Sequence, residues 1–174
     1  TSNSSDEIIR FVESLPEHVV FCMDEAYAEY VEKPADLRPL MRLGKKIVAM
    51  RTFSKIHGLA GLRIGYAYGN KDMIELLQKA RQPFNANLIA QTCAIAALND
   101  NSWVEQCRKR NLAGLKQMSA GLKILNLEYV PSQANFLLVK VGDGQTIFES
   151  LQELGIITRP MPESLNEYVR ISIG

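Results

Sequence analysis

Apolar and polar positions along this chain change period several times, and each change marks a predicted element. After Thr1-Ser2-Asn3-Ser4-Ser5, residues Ile8, Ile9, Phe11, Val12 and Leu15 recur at helical spacing. Ser4 or Ser5 is placed to cap this helix, Asp6 and Glu7 fall in its first turn, and Pro16 ends it. Val19 to Met23 is apolar without alternation, the pattern of a strand buried on both faces. Pro34 to Leu43 predicts a loop and a short helix closed at Gly44, and Ile47 to Met50 a second buried strand. Arg63 to Tyr68 reads as a third, with Gly65 permitting close backbone approach.

Helical spacing then dominates. Asn70 is placed to cap a helix over Lys71 to Ala80, with Met73, Ile74 and Leu77 on one face. Gln82 to Asn87 is a turn-rich break, Leu88 to Leu98 a helix of small residues, and Asn99 to Ser102 a second break. A long amphipathic helix follows from Trp103 to about Leu125, weakened at Gly114 and Gly121. The remainder predicts a strand at Ala134 to Val141, a helix at Gln145 to Leu154 with Gly155 as its C-cap, and an edge or short strand at Ile156 to Thr158. The final strand is Tyr168 to Ile173, where Val169, Ile171 and Ile173 alternate with Arg170 and Ser172. Strands and helices interleaved in this way define an α/β chain.

Composition narrows the function classes. The chain has 174 residues, is 47% hydrophobic and 22% charged, and carries a net charge of +1. That charge gives no electrostatic case for nucleic acid or an anionic membrane surface. No apolar run reaches the ~20 residues a membrane helix requires. Cys22, Cys93 and Cys107 are far apart and odd in number, which suits buried thiols rather than a metal or disulfide framework.

The chemistry-bearing residues cluster at strand ends. Val19 to Met23 delivers Asp24-Glu25-Ala26-Tyr27, and Ile47 to Met50 delivers Arg51-Thr52-Phe53-Ser54-Lys55. Gly58-Leu59-Ala60-Gly61-Leu62-Arg63-Ile64-Gly65 follows. Acids after an apolar strand also hold magnesium in nucleoside-triphosphate hydrolases. That reading needs a G-x-x-x-x-G-K-[ST] partner, which this chain lacks. Lys55 alone would be an ordinary surface lysine. Beside Thr52, Ser54 and a glycine-rich segment it gains hydroxyls and backbone N–H groups suited to a phosphate, and Arg63 adds a planar fork for two phosphate oxygens. An acid, a phenol, an amine, two hydroxyls and a guanidinium are the groups that hold pyridoxal phosphate. His18 and His57 carry less weight, since a lone histidine in such a place is more often a packing or loop residue.

These three segments resemble the cofactor motifs of the fold-type I pyridoxal-phosphate aminotransferases, most of all the histidinol-phosphate aminotransferase branch. The likeness continues through Pro131-Ser132-Gln133-Ala134-Asn135-Phe136, Ile156-Ile157-Thr158-Arg159 and Tyr168-Val169-Arg170-Ile171-Ser172-Ile173-Gly174. It implies the aspartate aminotransferase-like fold of pyridoxal-phosphate-dependent transferases, with residues 1–100 as the C-terminal part of the large cofactor-binding domain and 101–174 as part of the small α+β domain. By resemblance, Asp24 pairs with the pyridine nitrogen, Tyr27 bonds the ring hydroxyl, and Lys55 forms the covalent link to pyridoxal 5'-phosphate. Thr52, Ser54 and Arg63 hold its phosphate. Arg170 binds a substrate carboxylate, and Arg159 with Arg170 meets the phosphate end of histidinol phosphate.

The implied reaction moves an amino group between that donor and a 2-oxo acid such as 2-oxoglutarate, in histidine biosynthesis, by a cytoplasmic homodimer. Two alternatives stay open: a decarboxylase of a phosphorylated amino acid, and an inactive fragment. Members of the family are longer than this chain. The missing N-terminal half would supply a second phosphate loop, a ring-stacking aromatic and a tyrosine that reaches the partner's site. The chain is therefore expected to be the C-terminal half of such an enzyme.

Overall fold

The computed structural model describes residues 3–173. Thr1, Ser2 and Gly174, which open the chain and end its last motif, lie outside the described residues. The chain divides into two units, Asn3–Gln106 and the segment from Cys107 onward. No helix among the described residues is long and apolar enough to cross a membrane.

In the first unit, helix α1 spans Ser5–Ser14. Ser4 Oγ accepts the Glu7 N–H while the Glu7 carboxylate accepts the Ser4 N–H, a reciprocal capping box. Strands β1 (Phe21–Asp24), β2 (Ile47–Thr52) and β3 (Gly65–Gly69) form one sheet in that order. β1 runs parallel to β2, and β3 antiparallel to it. Between β1 and β2 come a 3₁₀ turn at Ala28–Tyr30 and helix α2 (Arg38–Arg42), which ends before Gly44 at φ +88°. Val12 of α1, Leu37, Leu40 and Met41 pack on Ile47 and Ala49 of β2 to form the core.

Three expectations need correction here. The first strand begins at Phe21 and is not buried on both faces. Phe21 and Met23 pack against the core, whereas Cys22 and Asp24 alternate to an uncovered side. The second strand loses its cover by Met50, which is 40% exposed. The third starts at Gly65, not Arg63, because Arg63 adopts left-handed backbone (φ 52°) and closes the 3₁₀ helix Ala60–Leu62. Gly65 does provide close approach: a Cβ there would lie 2.6 Å from the Arg51 carbonyl oxygen.

Helix α3 spans Lys71–Ala80. Asn70 occupies its N-cap without a side-chain capping bond: its amide nitrogen donates to the Lys45 carbonyl at 3.4 Å, while its Oδ1, the atom a cap would use, is buried without a hydrogen-bond partner. Helix α4 (Leu88–Asn99) is capped by the Asn87 side chain, which accepts the Ala90 N–H at 2.8 Å. The expected second break shrinks to Asp100, whose carboxylate accepts the Trp103 N–H at 3.0 Å. Helix α5 therefore runs Asn101–Ile124.

The second unit holds strands β4 (Tyr129–Val130), β5 (Phe136–Lys140), β6 (Arg159–Pro160) and β7 (Tyr168–Ser172), ordered β4-β5-β7-β6 and antiparallel throughout. Helix α6 covers Gly144–Glu153 and is capped by Asp143. Leu115 and Leu122 of α5 pack on Leu137, Val139 and Val169. Gly114 has a role beyond weakening α5: a Cβ there would collide with the Ile173 side chain. Ile156 to Thr158 forms no strand. The Ile156 N–H still donates to the Leu151 carbonyl at 2.8 Å, so this stretch completes the end of α6, and pairing with β7 begins only at Arg159. β4 escaped the sequence reading because two residues are too few to show alternation.

Candidate active site

Parallel pairing brings the C-terminal ends of β1 and β2 to one edge, with Asp24 opposite Met50. In sheets of this kind ligands bind beyond the carboxyl ends of parallel strands. The Glu25 N–H continues the ladder to the Met50 carbonyl at 2.8 Å, and the chain then turns away. Asp24 Oδ1 accepts the Ala26 N–H at 2.9 Å, which fixes the carboxylate at the strand end and leaves Oδ2 for another donor. After β2, Thr52 Oγ1 accepts the Ser54 N–H at 3.0 Å. Phe53 and Ile56 are 3% and 2% exposed, and they pin the loop from below. The Trp103 indole N–H donates to the Ile56 carbonyl at 2.9 Å and ties the same loop to the start of α5. Ser54 and Lys55 lie between these anchors, and Lys55 is exposed.

The loop folds back through the Leu59 N–H to the Phe53 carbonyl at 2.9 Å and the Phe53 N–H to the Ile64 carbonyl at 3.1 Å. The left-handed backbone at Arg63 returns its guanidinium toward this loop. Nη1 donates to the Ala60 carbonyl at 2.8 Å and reaches Ser54 Oγ at 3.4 Å. Asp24, Ala26, Met50, Arg51, Thr52, Ser54, Lys55 and Arg63 line one concavity of about 330 Å³. Tyr27 stands beside it, its ring centroid 5.3 Å from Lys55 Nζ.

The donor set fits pyridoxal phosphate. A hydroxyl and a guanidinium already within bonding range of each other suit a phosphate. An oriented carboxylate suits a protonated ring nitrogen, and a primary amine suits a carbonyl carbon.

Arg159 and Arg170 belong to the second unit. They are register partners across β6 and β7, so their side chains share a face. Arg170 is half-buried, its guanidinium 5.0 Å from the Phe136 ring centroid, and its Nε is buried without a hydrogen-bond partner. Arg159 is exposed.

One group beneath the site was missed by the sequence reading. Glu25, 4% exposed, accepts from Arg51 Nε at 2.7 Å and from the Tyr68 hydroxyl at 2.8 Å, both on Oε2. Arg51 Nη1 also lies 3.8 Å from Glu29. Burial opposes the Arg51 charge, but the Glu25 carboxylate outweighs it and raises the arginine's pKa further. Burial, and then the Glu25 carboxylate, push the Tyr68 phenol up to about 12. The available signal was an arginine inside an otherwise apolar strand, directly before the Thr52 motif.

Residues 3–174 match the family model of the class I and II aminotransferases, and the chain belongs to that family. It is similar to histidinol-phosphate aminotransferase of Akkermansia muciniphila, at 42% identity over 97% of this chain and 47% of that protein. It is also similar to histidinol-phosphate aminotransferase 1 of Nitrosococcus oceani, at 43% identity over 98% of this chain and 47% of that protein. The chain thus spans about half the length of the curated relatives it matches. Among solved structures, histidinol-phosphate aminotransferase from Sinorhizobium meliloti in complex with pyridoxal-5'-phosphate superposes with a TM-score of 0.89 at 28% identity. The match covers 99% of this chain and 49% of that one. The fold is the aspartate aminotransferase-like fold of the pyridoxal-phosphate-dependent transferases.

Proposed function

We propose that the intact protein is a pyridoxal-phosphate-dependent aminotransferase, with histidinol phosphate as amino donor and a 2-oxo acid such as 2-oxoglutarate as acceptor. The observation that carries this reading is the single concavity lined by Asp24, Thr52, Ser54, Lys55 and Arg63 at the ends of two parallel strands. When bound, the cofactor supplies an electron sink for negative charge developing at the substrate's α carbon. Asp24 would hold a proton on the ring nitrogen by charge pairing, its carboxylate already oriented by the Ala26 N–H. Lys55 Nζ would form the covalent link to the cofactor and would serve as the proton carrier at the substrate's α carbon. Thr52, Ser54 and Arg63 would hold the phosphate, and Tyr27 would bond the ring hydroxyl.

Arg159 and Arg170 form the substrate's anion site, supported by their shared face on β6 and β7. Residues 1–100 form the C-terminal part of the large domain and 101–174 part of the small one. The protein acts in histidine biosynthesis, a reading supported by the names of its relatives, and as a homodimer in the cytoplasm.

The test is borohydride reduction of the intact protein with pyridoxal phosphate, followed by peptide mapping and donor kinetics. Lys55 should carry the label. Arg159→Ala and Arg170→Ala should each raise the KM for histidinol phosphate, since a charge-assisted bond contributes ~1.5–3 kcal/mol. A donor with a carboxylate and no phosphate should depend more on Arg170 than on Arg159. A label on another lysine would overturn the site. Carbon dioxide release in place of a keto product would move the assignment to a decarboxylase.

A further inference from the structure

The Glu25–Arg51–Tyr68 cluster lies one residue away from both arms of the site. Glu25 follows Asp24, and Arg51 precedes Thr52. Arg51 lines the same concavity as Thr52 and carries its guanidinium from there to the buried Glu25 carboxylate. Three elements converge on it. Glu25 is the first residue after β1, Arg51 belongs to β2, and Tyr68 belongs to β3, with both hydrogen bonds ending on one carboxylate oxygen. Through Glu29, Arg51 also reaches the 3₁₀ turn Ala28–Tyr30 that follows Tyr27.

Stability alone does not account for such an arrangement. A buried ion pair is often no better for stability than an apolar group of the same shape, because desolvating both charges offsets their attraction. What it provides is geometry. The guanidinium is a planar fork whose nitrogens sit at fixed angles, so Nε on Glu25 and Nη1 near Glu29 fix the turn after β1 relative to β2. Tyr68 then orients the shared carboxylate from the third strand.

We propose that Glu25, Arg51 and Tyr68 are positioning residues for the cofactor: they lock the Asp24–Tyr27 turn against the Thr52–Lys55 segment. The acid, the phenol and the amine are thereby held at one mutual geometry before the cofactor arrives. This rests on the pyridoxal-phosphate reading of the concavity.

The test uses the intact apoprotein and two variants that leave Glu25 in place, because unpairing that buried carboxylate outright could prevent folding. Arg51→Lys keeps the charge but cannot present the fork. Tyr68→Phe removes one donor only. Lys71→Gln, which breaks the exposed Lys71–Glu75 pair, is the control. Three readouts are taken: the dissociation constant of pyridoxal phosphate, the pH midpoint of the visible band of the Lys55-linked cofactor, and amide hydrogen exchange over residues 24–30 and 52–58 without cofactor.

Arg51→Lys should weaken cofactor binding roughly tenfold or more, and Tyr68→Phe roughly two- to fivefold. Both should shift the pH midpoint and speed exchange in the two segments together, while the control changes nothing. Variants that lose thermal stability but keep the wild-type dissociation constant and midpoint would overturn the proposal and leave the cluster a purely structural one. Full rescue by Arg51→Lys would also overturn it, since charge rather than fork geometry would then suffice. A wild-type protein that binds no pyridoxal phosphate would instead overturn the cofactor reading itself, and the proposal with it.

Discussion

Replacing Gly65 by alanine tests the link between backbone approach and site geometry. Gly65 is the register partner of Thr52, the residue that turns the chain toward Lys55. An alanine Cβ would lie 2.6 Å from the Arg51 carbonyl oxygen and 3.5 Å from Thr52 Cα. Carbon–oxygen contacts settle at about 3.3–3.6 Å, so β3 must recede from β2 by roughly 0.7–1 Å at this end. Both obstacles are backbone, so no side chain can move aside. Overpacking of this kind costs about 1–3 kcal/mol. The recession also pulls on the bond from the Phe53 N–H to the Ile64 carbonyl, which holds the loop carrying Ser54 and Lys55.

The same motif supplies internal comparisons. Gly58 has open space around it but φ +72°, so alanine there costs about 1–2 kcal/mol through backbone strain alone. Gly61 has open space and no positive φ. Alanine there should be neutral or stabilising by about 0.4–1 kcal/mol, through reduced freedom of the unfolded chain. Urea unfolding of the three apo variants gives the stabilities, with an unchanged m value as the check on two-state behaviour. Titration with pyridoxal phosphate gives the affinities. Gly65→Ala should be destabilised and bind weakly, while Gly61→Ala should bind like wild type and be at least as stable. If Gly61→Ala were as damaging as Gly65→Ala, or Gly65→Ala were silent, the steric account of this segment would be wrong.

Asp24→Asn fills the same space without the charge, so turnover should fall far more than pyridoxal-phosphate affinity; equal losses in steady-state kinetics and binding would refute the role given to Asp24. Tyr68 has a folded-state pKa of about 12 against an ordinary value of ~10, so its contribution is intact below pH ~10 and is lost as pH rises toward 12. The stability gap between wild type and Tyr68→Phe should therefore shrink across that window, and parallel curves in pH-dependent unfolding would exclude it. Ser4→Ala removes the capping box of α1 and should cost ~1 kcal/mol in urea unfolding without changing cofactor affinity.

Much of this protein was determined locally. The ends of α1 follow from Ser4 and Pro16, because caps and breakers act within a few residues of themselves, whereas Asn70 stands at the start of α3 without a side-chain capping bond. The grouping of the candidate residues at the ends of β1 and β2 was legible because apolar runs deliver them and because Thr52, Ser54, Lys55 and Arg63 lie close together in the chain. Tertiary structure decided the rest. Pairing between strands set β3 antiparallel to β2, and the left-handed turn at Arg63 brings its guanidinium to Ser54. Register alone placed Arg159 opposite Arg170, eleven residues further along the chain. The Glu25 carboxylate meets Arg51 across 26 residues and Tyr68 across 43. No local pattern encodes that meeting, because the hydrogen bonds that bury a charge form only after the strands carrying its partners have paired.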